Sequence, residues 1–450
     1  MTQPTAGKNR PESHFWHPML HPAEMRRRVP IRIVRGDGCY VFDEDGRRLV
    51  DGVAGLWNVN VGHNRREVKD AIKAQLDELE YFQLFDGISH PRAEELSRVL
   101  HEMLAPEGLT HFIYSSGGSD AVETALKLAR QYWKILGQAD RTKFISLKQG
   151  YHGTHFGGAS VNGNTVFRRN YEPLLPGCFH VETPWLYRNP FTEDPARLGE
   201  ICAELLEREI VFQGPDTVAA FIAEPIQGAG GVIVPPANYW PLVREVCNRH
   251  GVLLIADEVV TGFGRSGSMF GCRGWGVKPD IMCLAKGISS GYVPLGATAI
   301  NARIADAFYG NADFTGAVMH GYTYAGHPVA CAAALASLRI VRDEDLPGNA
   351  ARCGEYLLGM LKPLERFASV GDVRGKGLMI AIDLVKDKRT REPIDPQQGY
   401  ADRLAATARA EGVLVRPVGT KIILSPPLVF ERGHADTLAH ALEVALDTVR

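Results

Sequence analysis

Short apolar runs that alternate with a helical segment constrain the fold of this chain most strongly. The runs "RTKFISL" (141–147), "VAAFIAE" (218–224), "VLLIADE" (252–258) and "PDIMCLA" (279–285) have the length and composition of buried strands, and "YWPLVREVCNRHG" (239–251) has the pattern of a helix. Strands that are apolar along their whole length are typical of a mainly parallel sheet with helices on both faces. The sequence therefore predicts an α/β fold whose ligand site lies beyond the carboxyl ends of the strands.

The two ends of the chain differ in pattern from its middle. Residues 31–52 and 370–385 have strand character around glycine turns, and a hairpin pattern at 412–427 precedes a terminal helix. A long helical pattern at 328–345 is suited to bridge two domains. We therefore predict a large domain, with a mixed but mainly parallel sheet, and a smaller α+β domain made from both chain ends. The predicted boundaries are 1–65 and 331–450 for the two parts of the small domain and 66–330 for the large domain.

Composition argues against several classes of partner. The 450 residues include 50 Lys plus Arg and 52 Asp plus Glu, so the formal net charge is -2 and neither nucleic acid nor an acidic membrane is indicated. The basic run at 26–28 is short and is expected to be solvated. The eight cysteines have neither CxxC nor zinc-site spacing, which predicts free thiols and no metal site. Neither a signal peptide nor a membrane span is indicated, and we expect a soluble cytoplasmic protein.

Lys286 is the only charged residue between Ile281 and Ile300. Such a lysine can extend its ammonium group to water along an apolar surface. However, Lys286 follows a predicted buried strand, where a sheet of this kind places its site. Burial lowers the pKa of a lysine, and a neutral amine forms Schiff bases with carbonyl groups. A carbonyl cofactor or substrate is therefore the functional hypothesis for Lys286.

Two carboxylates follow other strands of the predicted sheet. Asp257 comes after "VLLIA" and Glu224 after "VAAFIA". Asp257 could cap a turn, or it could be a buried carboxylate that needs a cationic partner. Pyridoxal phosphate requires both a lysine for its aldehyde and an acid for its ring nitrogen. One lysine and one carboxylate alone are a weak signal for this cofactor.

The segment "YSSGGSDAVETALKLARQYW" (114–133) leads from a small-residue loop into an amphipathic helix. Gly117 and Gly118 permit close backbone approach, and Ser119 is predicted to cap the helix and to offer its hydroxyl. A helix N-terminus with free N–H groups is a natural phosphate site. An ordinary Ser or Asp cap explains this segment equally well.

Two further motifs allow different interpretations. The run "GFGRSG" (262–267) matches the GxGxxG pattern, but the residues after it are glycine-rich and lack helical periodicity, so a turn-rich loop is favoured over a nicotinamide site. His152 and His155 in "GYHGTHFG" could suggest a metal site, but the glycines argue against one helix presenting both. Stacking of Tyr151 on a planar ligand is the simpler interpretation.

Arg416 and Trp57 each have two interpretations. Arg416 lies in the apolar run "VLVRPV", where an arginine can form a structural ion pair or clamp a carboxylate through two hydrogen bonds. Trp57, in "GLWNVNVGH", can belong to the core or to a pocket wall, and the core is the default.

Taken together, these segments resemble the class III pyridoxal-phosphate aminotransferases, and more narrowly the ω-amino acid or amine:pyruvate transaminases. The resemblance extends from about Arg32 to the C-terminus. Its motifs occur in order: "GLWNVNVGH", "GGSDA", "GYHG", "EPIQGAGGVIVPP", "DEVVTGFGRSG", "AKGISSGYVPLGA", "HGYTYAGHP" and "PPLVF". Many relatives have "SGSEA" where this chain has "GGSDA", so Gly117 removes one hydroxyl beside the predicted phosphate turn.

The resemblance implies a fold type I transferase that binds pyridoxal 5'-phosphate, and it implies a role for individual residues. Lys286 and Asp257 are implied as catalytic: Lys286 holds the cofactor as a Schiff base and Asp257 keeps the pyridine nitrogen protonated. The other residues implied to bind the cofactor are Gly118 and Ser119 at the phosphate, Tyr151 and Val259 on the two faces of the ring, Glu224 near the site, and Thr323 reaching the phosphate in a partner subunit.

The resemblance also implies substrate-binding residues and an activity. Arg416 is implied to bind the α-carboxylate of the amino acceptor, and Trp57, Phe85 and Tyr151 are implied to line the donor pocket. The activity is transfer of an amino group from an ω-amino acid or amine, such as β-alanine, a polyamine or taurine, to pyruvate by a ping-pong mechanism. A homodimer or tetramer with sites at the interface is implied. Decarboxylases and aminomutases of the same fold, and a non-catalytic binding protein, are the alternatives.

Overall fold

The computed structural model describes residues 14–25 and 30–449. The strands are β1 (Ile33–Asp37), β2 (Tyr40–Asp43), β3 (Arg48–Asp51), β4 (Leu109–Ser115), β5 (Lys143–Leu147), β6 (Cys178–Val181), β7 (Val218–Ala223), β8 (Leu253–Asp257), β9 (Ile281–Leu284), β10 (Gly296–Asn301), β11 (Val370–Gly375), β12 (Ile380–Asp387), β13 (Glu392–Pro393), β14 (Val413–Leu414), β15 (Arg416–Val418) and β16 (Lys421–Leu424). The α-helices are α1 (Pro22–Met25), α2 (Ala54–Trp57), α3 (Arg66–Glu78), α4 (Pro91–Met103), α5 (Gly118–Ile135), α6 (Phe156–Val161), α7 (Pro195–Gln213), α8 (Tyr239–Arg249), α9 (Ala302–Tyr309), α10 (Pro328–Asp343), α11 (Leu346–Leu361), α12 (Tyr400–Ala410) and α13 (Arg432–Thr448).

A seven-stranded sheet forms the centre of the molecule, in the order β4-β10-β9-β8-β7-β5-β6. Strands β9, β8, β7, β5 and β6 are parallel, and β10 is antiparallel to both of its neighbours. Each face is covered because successive side chains of a strand point to opposite faces. In β7, Phe221 packs with residues of α7 and α8, whereas the next residue, Ile222, packs with the apolar face of α5. The predicted α/β fold with a mainly parallel mixed sheet is confirmed.

The chain ends meet in a separate four-stranded sheet of order β1-β2-β3-β14, in which β14 runs parallel to β3. A further antiparallel sheet has the order β11-β12-β16-β15, and β13 adds to β12. Helices α11, α12 and α13 pack on these strands in one core cluster. Both ends of the chain thus contribute to the smaller unit, while the boundaries 1–65, 66–330 and 331–450 stay predictions.

The loop "GFGRSG" is built from turns, and no helix begins at Gly267. The fully buried Arg265 in this loop donates hydrogen bonds to the side chain of Asn60 and to the carbonyl oxygen of Leu378. Glu258 fixes the start of the loop because its carboxylate accepts from the main-chain N–H groups of Gly271 and Cys272. The loop therefore connects the two units of the fold, as its glycine-rich sequence allows.

The structure bears on two composition-based expectations, the free thiols and the membrane span. All eight cysteines are unpaired thiols, as the spacing predicted. Among the residues described, no helix has both the length and the apolar character needed to cross a membrane. The basic run at 26–28 lies outside the described residues, so its predicted solvation stays untested, as does the cytoplasmic location.

Candidate active site

A cavity of about 350 Å³ opens at the carboxyl ends of the parallel strands. It lies where the fold class predicts a ligand site, since the segments that follow β5, β7, β8 and β9 all reach it. Seven residues predicted from the sequence line this cavity: Gly118, Ser119, Tyr151, Glu224, Asp257, Val259 and Lys286. The cavity therefore brings together side chains that are up to 168 positions apart in the sequence.

Lys286 lies two residues after the end of β9 and takes a left-handed backbone conformation, with φ of 46°. This conformation is strained for a residue with a side chain. The next residue, Gly287, is required by space, because a Cβ there would lie 2.4 Å from Nδ2 of Asn60. Burial of the site lowers the pKa of Lys286, against the opposing influence of Asp257 and Glu224. The structure thus places the Lys286 amine in the cavity, where its charged form is less favoured than in water.

Asp257 ends β8 and is buried. Its Oδ1 accepts a hydrogen bond of 3.1 Å from the main-chain N–H of Val259, and its Oδ2 lies 2.8 Å from Nδ1 of His152. The main chain thus supplies a hydrogen to one carboxylate oxygen, and a ring nitrogen of His152 lies at hydrogen-bond distance from the other. The local sequence explains the arrangement, because Asp-x-Val lets the carboxylate fold back on its own chain in an Asx turn.

Glu224 links the loop after β7 to the loop that carries Tyr151. Its Oε1 accepts from the main-chain N–H of Tyr151 at 2.9 Å and its Oε2 accepts from that of Gly228 at 2.8 Å. Burial raises the pKa of Glu224 to about 7, although both N–H donors favour the charged form. The Tyr151 ring packs edge-to-face on Phe167 at 4.8 Å between ring centroids. Glu224 therefore fixes the backbone from which the Tyr151 ring extends along the cavity.

Helix α5 points its N-terminus at the cavity, and here one prediction is wrong. Ser119 does not cap the helix: Gly117 is the capping residue, without a side-chain hydrogen bond, and Ser119 lies in the first turn. The Ser119 hydroxyl instead accepts from the main-chain N–H of Thr154. Because no side chain occupies the cap, the first N–H groups of α5 remain available to an anion.

Two glycines allow the close packing around this helix end. A Cβ on Gly118 would lie 2.7 Å from Cγ1 of Val259, and a Cβ on Gly153 would lie 2.5 Å from Oγ of Ser119. Gly153 also has φ of +96°, which disfavours any other residue. Helix α5, the loop after β5 and Val259 are thus brought into contact at one edge of the cavity.

The other four predicted residues do not line the cavity. Trp57 is buried in a core cluster with Met379 and Ile423, while its neighbours Leu56 and Asn58 reach the cavity. Arg416 is half-buried near Tyr151, and its side chain has neither a hydrogen bond nor an ion pair among the described residues. Thr323 and Phe85 are exposed and lie on neighbouring segments, since Phe85 contacts Gly321.

The sequence suggests His152 only as a possible metal ligand, and its pattern does not indicate the contact with Asp257. His152 and His155 face different carboxylates, Asp257 and Asp120, rather than a common centre. The rule that located Asp257 applies equally to His152, because Asp257 is the last residue of β8 and His152 lies in the loop that follows the parallel strand β5. Asn162, which accepts from the main-chain N–H of His152, carried no signal in the sequence.

The residues around the cavity fit pyridoxal phosphate by their chemistry. The uncapped N-terminus of α5 and the Ser119 hydroxyl suit a phosphate group, and the buried Asp257 carboxylate suits a protonated ring nitrogen. Lys286 supplies an amine for an aldehyde, and Val259 and Tyr151 supply an aliphatic and an aromatic surface for a flat ring. The donor set thus has a partner for the phosphate, the aldehyde, the ring nitrogen and both faces of the ring.

Comparisons with known proteins agree with this geometry. The aminotransferase class-III family model matches residues 22–446. The chain is 41% identical to the adenosylmethionine-8-amino-7-oxononanoate aminotransferase of Geobacter sulfurreducens, covering 97% of this chain and 96% of the relative. It is 39% identical to the putrescine–pyruvate aminotransferase of Pseudomonas aeruginosa, covering 96% and 94%.

A solved structure is also similar over the full length. The amine transaminase of an uncultivated Pseudomonas species, described in its pyridoxal-phosphate-bound form, superposes with a TM-score of 0.97 at 61% identity, covering 98% of this chain and all of that one. Class III aminotransferases use pyridoxal 5'-phosphate, and the structural neighbours include ω-transaminases. The chain belongs to the class III aminotransferases.

Proposed function

We propose that this aminotransferase moves an amino group from an ω-amino acid or amine, such as β-alanine, a polyamine or taurine, to pyruvate by a ping-pong mechanism. The observation that carries the proposal is the meeting of Lys286 and Asp257 in one cavity at the N-terminus of α5. The similarity to a putrescine–pyruvate aminotransferase and to an amine transaminase supports both halves of the reaction.

Lys286 and Asp257 have the main chemical roles in this proposal. Bound pyridoxal phosphate supplies an electron sink for the substrate carbon and a carrier for the amino group. Asp257, held by Val259 and His152, would keep the ring nitrogen positively charged. The Lys286 amine, whose pKa is lowered by burial, would take a proton from the substrate carbon as a base and return it as an acid.

The remaining cofactor contacts follow from the edge of the cavity. Gly118 and Ser119 at the start of α5 would bind the phosphate, and Val259 and Tyr151 would pack on the two faces of the ring. Glu224 would set the position of Tyr151 through its main-chain hydrogen bond. Each of these residues acts from a position fixed by a neighbouring backbone contact, which favours a preorganised site.

Arg416 is the proposed binding group for the carboxylate of the oxo acid. It is half-buried beside Tyr151, and burial lowers its pKa. A guanidinium group without an ion pair among the described residues can accept a carboxylate ligand without first breaking a salt bridge. Donors that lack an α-carboxylate would not need Arg416, and Trp57 and Phe85 are proposed to shape their pocket.

A homodimer, or a tetramer built from it, is proposed from the surface around Thr323. This residue is exposed and does not reach the cavity of its own chain. Met319 and Tyr324 near it in the sequence, and Phe82 and Phe85 on the segment that adjoins it in space, are large exposed apolar residues. Such a concentration of exposed aromatic groups is typical of an interface. Burial of this surface against a second copy would place Thr323 next to the other subunit.

A donor screen tests the proposed activity. The protein is incubated with pyridoxal phosphate, pyruvate and each of β-alanine, putrescine, taurine and an aryl amine, and alanine is measured against donor consumed. We expect stoichiometric alanine with at least one donor. Carbon dioxide without alanine would contradict transamination and favour a decarboxylase, and an isomerised donor would favour an aminomutase. Parallel reactions with 2-oxoglutarate decide the acceptor.

Lys286→Ala provides the control for this screen, because it removes the proposed base and the Schiff base. We expect alanine formation and the cofactor absorbance band to be lost together, while circular dichroism stays unchanged. Lys148→Ala, which removes an exposed lysine paired with Glu182, should retain both. Size-exclusion chromatography with light scattering measures the oligomer, and a monomer that forms alanine would contradict the proposed dimer.

A further inference from the structure

His152 is buried at the rear of the cavity, and its ring contacts only one polar side chain at hydrogen-bond distance among the described residues. The ring Nδ1 lies 2.8 Å from Oδ2 of Asp257. The other ring nitrogen, Nε2, is buried and has no hydrogen-bond partner there. A Cβ on Gly150 would lie only 3.2 Å from this Nε2, so the glycine leaves just enough room for the ring.

These contacts determine where the proton of the ring lies. A proton on Nε2 would be a buried donor without an acceptor, which is costly. The proton therefore belongs on Nδ1, where it faces a carboxylate oxygen. In this tautomer His152 donates to Asp257, and the unprotonated Nε2 is a buried acceptor without a partner among the described residues, which is better tolerated than an unpaired donor.

The backbone around His152 is held independently of Asp257. The Asn162 side chain accepts from the main-chain N–H of His152, and its Nδ2 donates to the carbonyl oxygen of Gly153 at 2.9 Å. Asn162 is itself fully buried. The imidazole thus approaches Asp257 from a rigid support, and Val259 approaches the second carboxylate oxygen from the opposite end. The remaining ionisable groups near His152 are Glu224 and His180.

We propose that His152 is a positioning residue whose imidazole, by donating from Nδ1, holds the Asp257 carboxylate aimed at the cofactor ring nitrogen. One oxygen of Asp257 is turned towards Val259 and the other towards His152, so rotation of the carboxylate is restricted at both ends. Without the imidazole, one oxygen of this buried carboxylate loses its donor, and the carboxylate is no longer held at that end. The proposal rests on the proposed function in taking Asp257 as the partner of the ring nitrogen.

Two cofactor analogues separate this role from a purely structural one. Cofactor-free full-length protein is titrated with pyridoxal phosphate and with 1-deazapyridoxal phosphate, in which a carbon replaces the ring nitrogen, and both dissociation constants are measured by fluorescence. Both ligands have the same phosphate and aldehyde, so the ratio of the two constants isolates the contact with Asp257. Circular dichroism confirms that each variant is folded.

We compare three variants with the unaltered protein. His152→Leu fills the space without a donor and should reduce the preference for pyridoxal phosphate by about tenfold or more, since hydrogen bonds to charged groups contribute on that scale. His152→Asn places an amide N–H near the position of Nδ1 and should keep the preference within about threefold. His155→Leu, in the same loop but facing Asp120, is the matched control and should also keep it.

The proposal is overturned if His152→Leu binds both ligands with an unchanged ratio, or if His152→Asn loses the preference as fully as His152→Leu does. If His152→Leu does not fold, His152→Phe, whose ring has no nitrogen donor, takes its place in the comparison with His152→Asn. The unaltered protein tests the proposed function separately. If it does not prefer pyridoxal phosphate over the deaza analogue, the assignment of Asp257 to the ring nitrogen is wrong, whatever the role of His152.

Discussion

Arg188 donates a hydrogen bond of 2.7 Å to the carboxylate of Asp383, although the two residues belong to different parts of the fold. Arg188 lies in the turn after β6, and Asp383 lies in the middle of β12. Arg374 of β11 donates to the second oxygen of the same carboxylate at 3.1 Å, and Asp383 is fully buried. The pair therefore joins the loops of the central sheet to the C-terminal sheet through a carboxylate that is fully buried.

Asp383→Asn should lower the free energy of unfolding by about 3 kcal/mol, because it removes the charge of a fully buried carboxylate that accepts hydrogen bonds from Arg188 and Arg374, of which only Arg374 keeps another carboxylate partner in the described part of the chain, Asp372. Urea unfolding monitored by circular dichroism measures the change. Glu102→Gln is the matched control, since it removes one half of an exposed ion pair with Arg98 and should have an effect below about 0.5 kcal/mol. Equal effects of the two substitutions would mean that burial does not govern the contribution of Asp383.

Glu224 predicts a dependence of stability on pH. Its pKa in the folded protein is raised from 4.5 to about 7, with burial as the main cause. Between these values the folded state binds a proton that the unfolded state has released, so stability falls as pH rises through this interval and changes no further above about 7. Between pH 4.5 and pH 8, the free energy of unfolding of the cofactor-free protein should fall by about 3 kcal/mol more than that of Glu224→Gln does. If the free energies of unfolding of the two proteins change equally with pH, Glu224 does not titrate in this range.

Gly153→Ala should weaken both the fold and cofactor binding. The added Cβ would lie 2.5 Å from Oγ of Ser119, and the backbone has a positive φ. We therefore expect the free energy of unfolding to fall by about 2 kcal/mol and the dissociation constant for pyridoxal phosphate to rise. Gly359→Ala, in the interior of α11 with open space around the glycine, should instead be neutral or stabilising. Thermal unfolding and fluorescence titration check both, and a tolerated Gly153→Ala would show that α5 and the Tyr151 loop can separate.

Arg416→Ala should affect only one half of the proposed reaction. The KM for pyruvate should rise by roughly 10- to 100-fold through the lost charged hydrogen bonds, whereas amino transfer from a donor without a carboxylate should stay within about twofold. Single-turnover absorbance measurements follow each half separately. Arg389→Ala, at an exposed position, should change neither the KM for pyruvate nor the rate of amino transfer from the donor. Equal losses in both half-reactions would assign Arg416 a structural role instead.

Much of the fold and part of the site could be predicted from local sequence patterns. Strands β7, β8 and β9 were evident because a strand buried on both faces is apolar throughout, and the rule for such sheets then placed Glu224, Asp257 and Lys286 together. Ser119 was predicted wrongly as the cap of α5, because serine is preferred at this position. In the structure Gly117 is the capping residue, with an extended backbone.

Contacts between distant segments could not be predicted in the same way. The approach of His152 to Asp257 depends on the packing of two loops that are 105 residues apart, and no periodic pattern encodes such a distance. The same holds for Trp57, whose neighbours Met379 and Ile423 come from the other end of the chain. The sequence identified the types of residue that the chemistry needs, and the tertiary contacts decide which of them meet.

The parallel pairing of β3 with β14 has a consequence for synthesis on the ribosome. Val50 and Asp51 align with Val413 and Leu414, so the first strands of the chain cannot complete their sheet until roughly 360 further residues have been translated. At typical elongation rates this delay is on the order of 20 to 70 s. During that time the edge of β3 is open to other strands, and the nascent N-terminal segment is a natural client for a chaperone that binds extended chains.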